Sequence, residues 1–203
     1  LMMQSTVQPP PGYRFIAYAM SDTGISNGAR VDLPFGFDIA DSLTTLASCG
    51  VRAADKFMVA PSQWNDDWNR FALVGGPFSD RFGVGYGSDP TTSNRCIWSS
   101  NVIQRDVDFH NWAYKDQCFT LDNRLTLDVS GIVFGGETAN LKLFYGYNGN
   151  TSGKIAYYKH KKADGTTYNI LPIQNKTTGE VEMYDTVSKT IMPRTGTLYA
   201  PQD

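Results

Sequence analysis

The segment Trp64-Asn-Asp-Asp-Trp-Asn69 brings aromatic, amide and carboxylate side chains together in one short stretch. The face of a tryptophan ring packs against the CH groups of a sugar, and amide and carboxylate oxygens accept hydrogen bonds from its hydroxyl groups. The alternative is a turn whose tryptophan rings pack inward. We predict a glycan-binding site whose contacts come from Trp64, Asn65, Asp66, Asp67, Trp68 and Asn69.

The same oxygen atoms are hard ligands of the kind that calcium prefers. The calcium motif of lectins is not recognisable in the segment, so we expect no metal and no cofactor. If the segment did bind a metal ion, calcium would suit its oxygen ligands best. The three cysteines, Cys49, Cys96 and Cys118, are far apart in the sequence. Their odd number and wide spacing fit neither a disulfide framework nor a zinc site. We expect them to be reduced.

The acidic residues do not follow a pattern that would hydrolyse a sugar bond. The chain has only three glutamates, Glu137, Glu180 and Glu182. Glycoside hydrolysis needs two carboxyl groups about 5–9.5 Å apart around one bond, and the spacing that would place such a pair on one strand is absent. We therefore predict no catalytic residue, and a glycoside hydrolase is the least favoured function.

Three other motifs have a structural interpretation. Asp22-Thr23-Gly24 has the letters of an aspartic-protease triplet, but that chemistry needs a second copy. We predict a turn in which Asp22 binds its own backbone. The chain has only two histidines, His110 and His160, too few for a histidine-rich metal site, and His110 is interpreted as a hydrogen-bonded histidine rather than a general base. The run 159–162, Lys-His-Lys-Lys, is predicted to be a solvated hairpin tip.

Composition limits the classes of partner. A chain of 203 residues suits one domain, and its formal net charge is −2. Because the chain lacks a basic stripe, it is not predicted to bind nucleic acid or a membrane surface. No apolar run reaches the roughly 18 residues of a membrane-spanning helix.

Short runs of alternating apolar residues, separated by Gly, Asn, Asp and Ser, predict an all-β protein. Residues 39–47 are the exception, since Asp41 or Ser42 could cap a short helix there. The predicted strands before the C-terminal region are 13–19, 29–37, 56–59, 68–74, 82–86, 95–98, 106–112, 117–121, 131–134 and 141–145.

The C-terminal strands carry a family resemblance. Gly153-Lys-Ile-Ala-Tyr-Tyr-Lys, Ile170-Leu-Pro-Ile, Met183-Tyr-Asp-Thr-Val-Ser-Lys and Arg194-Thr-Gly-Thr-Leu follow one another. In this order they resemble the closing strands of concanavalin-like, laminin-G-like modules of phage virion proteins and secreted proteins of gut bacteria. Phe15-Ile-Ala-Tyr-Ala-Met-Ser-Asp-Thr-Gly-Ile resembles the opening strand. The resemblance implies an antiparallel jelly-roll β-sandwich.

The first twelve residues are predicted to be an extended proline-rich arm, followed by a single β-sandwich domain over 13–203. Consecutive prolines favour the polyproline conformation and exclude a helix. The arm is expected to dock on other virion proteins or on copies of the same chain. Its docking residues are Met2, Met3, Val7, Pro9, Pro10 and Pro11.

Together, these features predict a non-enzymatic structural or adhesive module on the surface of a phage particle. It would serve as a capsid decoration, a head fibre or a tail fibre with a face that binds a glycan or the host surface. The alternative is a secreted, extracellular bacterial carbohydrate-binding protein. The virion setting follows from the resemblance and the arm, because a fold alone does not define a function.

Overall fold

The structure, a computed structural model, describes residues 6–48, 58–60, 71–75, 81–87, 95–104, 107–132, 134, 139–146 and 149–202. These ranges contain β-strands and no helix. The strands are β1 (Tyr13–Phe15), β2 (Ala19–Ser21), β3 (Arg30–Asp32), β4 (Ser42–Ser48), β5 (Met58–Ala60), β6 (Phe71–Gly75), β7 (Arg81–Gly87), β8 (Arg95–Gln104), β9 (Phe109–Lys115), β10 (Cys118–Leu121), β11 (Leu125–Asp128), β12 (Lys142–Leu143), β13 (Tyr145–Gly146), β14 (Gly149–Asn150), β15 (Gly153–Lys161), β16 (Thr167–Asn175), β17 (Val181–Asp185), β18 (Thr190–Ile191) and β19 (Arg194–Thr195).

The strands form two main antiparallel sheets. The first has ten strands in the order β11-β10-β9-β4-β15-β16-β17-β18, with β1 added beside β16 and β2 beside β15. The second has seven strands in the order β19-β3-β12-β5-β6-β7-β8. The short strands β13 and β14 pair with each other and form a separate two-stranded sheet. The predicted all-β class is confirmed.

Aromatic side chains from both sheets meet in one core. Phe71 of β6 stacks on Phe37 with ring centroids 4.0 Å apart, and Phe37 meets Tyr114 of β9 edge-on at 4.9 Å. All three side chains are fully buried. Large aromatic rings provide most of the apolar area that such a core removes from water. Packing of this kind is consistent with a β-sandwich.

The predicted helix over 39–47 is wrong, because this segment turns and then forms β4. Leu43, Thr45 and Ala47 are buried, whereas the residues between them are partly exposed, and this period of two belongs to a strand. Two adjacent β-branched threonines also favour a strand over a helix. The strand is central in its sheet, because it pairs with β9 on one side and β15 on the other.

Turn residues determine several connections. Asp116 and Gln117 link β9 to β10 with φ angles of 51° and 58°, as a two-residue type I′ turn requires. The strand predicted over 131–134 is wrong in its first half, because Gly131 and Ile132 lie in a turn. The amide of Ile132 donates to the carbonyl of Val129 at 2.9 Å.

The C-terminal strands predicted from the sequence are confirmed as β15, β16 and β17. The aspartate of the Met-Tyr-Asp motif, Asp185, is fully buried at the end of β17. Its carboxylate accepts hydrogen bonds from the amides of Asn169, Val187 and Ser188 at 2.8, 3.2 and 3.0 Å. This residue thus holds the turn after β17 against the neighbouring strand, which is a structural role.

Candidate functional site

A groove crosses the solvent-exposed face of the ten-stranded sheet at one end of β9, β4, β15 and β16. Its volume is about 540 Å³. Leu43, Tyr114 and His160 alternate with the groove residues and are buried on the core side of the sheet. The groove, called the sheet groove below, is therefore built on the outer face of strands whose inner face is anchored in the core.

Strand register arranges the groove residues in two neighbouring rows. Thr44 lies between Ala113 and Lys159, and Lys159 pairs in turn with Asn169. The second row contains Ser42, Lys161 and Thr167, and Lys115 reaches the groove from the end of β9. Side chains in one row of a sheet are direct neighbours. The four strands thus place hydroxyl, amide and ammonium groups side by side.

The sheet groove is positively charged. Lys115, Lys159 and Lys161 line it, and none of the described residues that line it is acidic. Lys115 has only a loose contact with Asp116, at 3.9 Å, and both side chains are more than three-quarters exposed. An ion pair of this kind is largely screened by water and leaves the ammonium group accessible.

A hydrogen-bonded chain orients the wall beside Lys159. The Asn111 amide donates to the hydroxyl of Tyr157 at 2.9 Å and accepts from the hydroxyl of Thr44 at 3.3 Å. The Lys159 ammonium group lies 5.2 Å from the centre of the Tyr157 ring, within the range of a cation–π contact. Because its neighbours restrain each group, the wall is organised before any ligand arrives.

The opposite wall is fixed by the turn after β17. Asn169 donates from its backbone to Asp185 and from its side chain to the Thr186 hydroxyl, at 2.8 and 2.9 Å. Val187, in the same turn, is 53% exposed and lines the groove. The buried carboxylate of Asp185 therefore supports one wall of the sheet groove from below.

A buried polar network lies on the other side of the same strands. The Asp41 carboxylate accepts hydrogen bonds from His160 Nε2 at 2.8 Å and Lys162 Nζ at 2.7 Å. The Tyr158 hydroxyl lies 2.9 Å from His160 Nδ1. Asp41 and His160 side chains are fully buried, and that of Lys162 is 15% exposed. We call these four residues the core network.

Protonation in the core network follows from burial and hydrogen bonding. Burial alone would raise the pKa of Asp41, but hydrogen bonds from His160 and Lys162 outweigh it and lower that pKa below its ordinary value. Burial also lowers the pKa of His160, although Asp41 opposes the effect. His160 is therefore neutral near pH 7, donates from Nε2 and accepts the Tyr158 hydroxyl at Nδ1.

The prediction that 159–162 is a solvated hairpin tip is wrong for half of the run. Lys159 and Lys161 are exposed, whereas His160 is buried and Lys162 donates to Asp41 and to the carbonyl of Gly36 at 2.7 Å. The alternation that assigns Lys159 and Lys161 to the outer face could have placed His160 inside. The pairing with Asp41 could not have been read locally, because 119 residues separate it from His160.

The other histidine, His110, has a hydrogen-bonding partner, as predicted for it. His110 Nδ1 lies 2.6 Å from Asp122 Oδ2, with side-chain exposures of 10% and 26%. The other oxygen of Asp122 accepts the Asn111 amide at 2.8 Å. This pair ties the hairpin between β10 and β11 to β9.

The turn predicted at Asp22-Thr23-Gly24 is confirmed. The Asp22 side chain accepts the Gly24 amide at 2.8 Å, and its carbonyl accepts the amides of Ile25 and Ser26 at 3.3 and 3.2 Å. A carboxylate that closes its own backbone turn in this way has a structural role.

The predicted glycan site lies outside the described residues, so it stays a prediction for Trp64, Asn65, Asp66, Asp67, Trp68 and Asn69. The sheet groove was not predicted. Lys159 and Lys161 lie in the run predicted to be a hairpin tip, but no local motif links them to the other groove residues. Only the pairing of four strands brings the groove residues together.

Part of the predicted docking arm is described. Val7 is 48% exposed, whereas Pro9 and Pro10 are half-buried and Pro11 is exposed. The arm joins the domain just before β1, where the Gly12 carbonyl accepts the Lys176 amide at 2.9 Å. Docking on another chain stays a prediction, and Met2 and Met3 lie outside the described residues.

Two other side chains that could take part in chemistry, Glu182 and Cys118, lie within the described residues. Glu182 accepts a hydrogen bond from Arg194 Nε at 2.7 Å, and Cys118 is a free, partly exposed thiol. No three His, Cys, Asp or Glu side chains within the described ranges converge as a metal site would require.

Two further findings concern membrane-spanning helices and related proteins. In the part that the structure describes, no helix has the length and apolarity needed to cross a membrane. No protein-family model matches the chain, and no curated protein matches it either.

Proposed function

We propose that this protein is a non-enzymatic carbohydrate-binding module, and that the sheet groove binds the glycan. The proposal includes the finer fold assignment, an antiparallel jelly-roll of the concanavalin-like, laminin-G-like type. The observation that carries it is the groove itself, an open, mainly apolar depression on a sheet face that also carries hydroxyl, amide and ammonium groups. A few convergent polar groups in a concave site are what recognition of a small polar ligand requires.

Binding is favoured over hydrolysis because of where the carboxylates lie. None of the described residues lining the sheet groove is an aspartate or a glutamate. Asp41 and Asp185, the nearby buried acids, receive several hydrogen bonds each and are fully buried beneath the strands. A pair of carboxyl groups flanking a sugar bond, which glycoside hydrolysis needs, has no counterpart in this groove.

The setting belongs to the same proposal. The module acts as a structural or adhesive part of a phage particle, exposes the sheet groove at the virion surface and docks through its N-terminal arm. The sequence resemblance and the exposed Val7 of the arm support this setting. The Trp64–Asn69 segment would add a second contact area. A secreted bacterial carbohydrate-binding protein is the alternative, and an arm-deleted protein that still assembles normally would favour it.

Affinity electrophoresis through gels containing neutral and acidic polysaccharides tests the proposed function. Ala113 is half-buried in the groove. An Ala113→Trp variant should therefore fill the groove and abolish retardation of the protein by the polysaccharide in the gel. Thr167→Trp, at the exposed rim, provides a second obstruction if the first variant does not fold. Thr126→Trp, on the exposed face of β11 away from the groove, is the matched control and should bind normally. The proposal fails if no polysaccharide retards the protein, or if the folded groove variants bind as well as the control.

A further inference from the structure

Resting on the proposed glycan-binding function, we infer that the ligand of the sheet groove is an anionic polysaccharide, recognised through the charge of Lys115, Lys159 and Lys161. The full chain carries a formal net charge of −2, so the protein as a whole does not attract anions. The three lysines give one groove a local positive charge, although the net charge of the chain is negative. A local excess of this kind favours a ligand of opposite charge, because the fields of neighbouring ammonium groups add over one sheet face.

These lysines are not used to hold the fold together. Lys162, which follows Lys161 in the sequence, donates hydrogen bonds to the Asp41 carboxylate and to the Gly36 carbonyl. By contrast, the Lys159 ammonium group lies 5.2 Å from the centre of the Tyr157 ring and donates no hydrogen bond to the residues that the structure describes. Lys115 has only its loose contact with Asp116. The ammonium groups of the groove thus retain their capacity to donate to an anion.

The spacing suits a polymer with repeated charges. Lys159 and Lys161 are two residues apart on one strand, which separates their Cα atoms by about 7 Å. Lys115 lies across β4 from Lys161, two strand spacings away, or roughly 10 Å. A chain of acidic sugars that crosses the strands can place a charged group near each of the three positions.

A polysaccharide fits the surroundings of the lysines better than a nucleic acid does. Ser42 and Thr167 flank Lys161 across the strands and Thr44 lies beside Lys159, so hydroxyl groups adjoin the ammonium groups. The aliphatic stems of the lysines offer apolar contact to sugar rings. A nucleic-acid site of comparable affinity depends on many phosphate contacts along a basic stripe, and the chain shows no such stripe. Carboxylate and sulfate groups both carry the required negative charge, so the experiment below compares a polysaccharide of each kind.

The test uses affinity electrophoresis of the full chain in four gels: polygalacturonate for carboxylate, dextran sulfate for sulfate, neutral dextran, and none. We expect retardation by at least one anionic polymer and none by dextran. The double variant Lys159→Gln/Lys161→Gln should bind about tenfold more weakly, as expected for losing charge-assisted hydrogen bonds. The control Lys176→Gln/Lys189→Gln removes the same charge from exposed sites outside the groove and should stay within about twofold of the unchanged protein.

Added sodium chloride should weaken binding of the unchanged protein more than that of the groove variant, because salt screens exposed charges over about 10 Å or less at 0.1 M and above. Equal retardation by dextran, unaffected by the groove lysines, would overturn the anionic ligand while leaving the proposed glycan-binding function in place. Failure of every polysaccharide would overturn both. Tighter binding of a short DNA duplex through the same lysines would also overturn the inference.

Discussion

The two faces of the ten-stranded sheet use the same kinds of residue for different purposes near the end of β15. On the outer face, Lys159 and Lys161 are exposed and line the sheet groove. On the inner side, His160 and the following Lys162 share the carboxylate of Asp41 in the core network. The comparison shows that charge by itself does not assign a role. Strand alternation separates residues available to a ligand from residues that hold the fold.

The physical difference between the faces is the amount of water around each charge. An exposed ammonium group keeps its hydration, so its contribution to folding is small. A buried carboxylate has lost its hydration and depends on every hydrogen bond that its neighbours donate. Changes in the core network should therefore alter the stability of the protein, whereas changes in the sheet groove should alter binding.

The largest effect is expected for Asp41→Ala. This variant leaves Lys162 and His160 without their shared acceptor in a region closed to solvent, and breaking a buried ion pair destabilises a protein by about 3–5 kcal/mol. Urea unfolding followed by tryptophan fluorescence measures the free energy of unfolding. Asp164→Ala, at an exposed turn of the neighbouring hairpin, is the control and should change it far less. Equal losses in the two variants would contradict the assigned role of the core network.

The adjacent residues Tyr157 and Tyr158 allow a direct comparison of the two faces, with a smaller expected effect on stability. The Tyr158 hydroxyl donates to buried His160, whereas the Tyr157 hydroxyl accepts from Asn111 on the outer face. Tyr158→Phe leaves a buried acceptor unsatisfied and should lower the free energy of unfolding by about 1–3 kcal/mol. Tyr157→Phe removes a hydrogen bond near solvent, so about 1 kcal/mol or less is expected.

Chemical denaturation of both phenylalanine variants in one buffer gives the comparison directly. Loss of one hydroxyl is the only chemical change in each, so the difference between them reports the two environments. A Tyr157→Phe variant that is as unstable as Tyr158→Phe would mean that the outer face is as important for folding as the core. The separation of the two faces would then be wrong.

The sequence predicted the fold class because that class depends on local patterns. Alternation and turn residues gave the strands of the C-terminal region and the turn at Asp22. The helix predicted over 39–47 was wrong, and of its two capping candidates, Asp41 and Ser42, the aspartate binds two distant partners instead. The Asp41 carboxylate binds His160 and Lys162, which lie 119 and 121 positions further along the chain. Interactions over such separations leave no periodic signal in a window of ten residues.

The candidate site was harder to predict for the same reason. Thr44, Lys115, Lys159 and Asn169 come from four strands, and no sequence motif joins them. Residue chemistry drew attention to the aromatic and acidic Trp64–Asn69 segment, whereas the groove consists of ordinary polar strand residues. Only the order of the strands in the sheet reveals that these residues share one surface.

The last expected effect concerns pH and tests the core network without removing its charge. Burial lowers the pKa of His160 below the ordinary value of 6.5. The unfolded chain therefore takes up a proton as the pH falls through about 6.5, while the folded chain does not, and stability decreases with acid. The slope is at most about 1.4 kcal/mol per pH unit for one proton. Asp41, whose pKa is also lowered, contributes its own loss only at lower pH, below its ordinary value of 3.8.

His160→Gln removes this titration while keeping polar atoms in the network. Its stability should be lower than that of the unchanged protein at pH 7.5, and the difference should shrink as the pH falls from about 6.5 towards 5. His110, which is paired with Asp122 at the sheet edge and partly reached by solvent, is present in both proteins and so cancels from the difference. Thermal unfolding of both proteins across this pH range measures the effect. Parallel losses of stability in the two would mean that His160 does not remain neutral in the folded protein, and that the inner side of β15 tolerates charge as the outer side does.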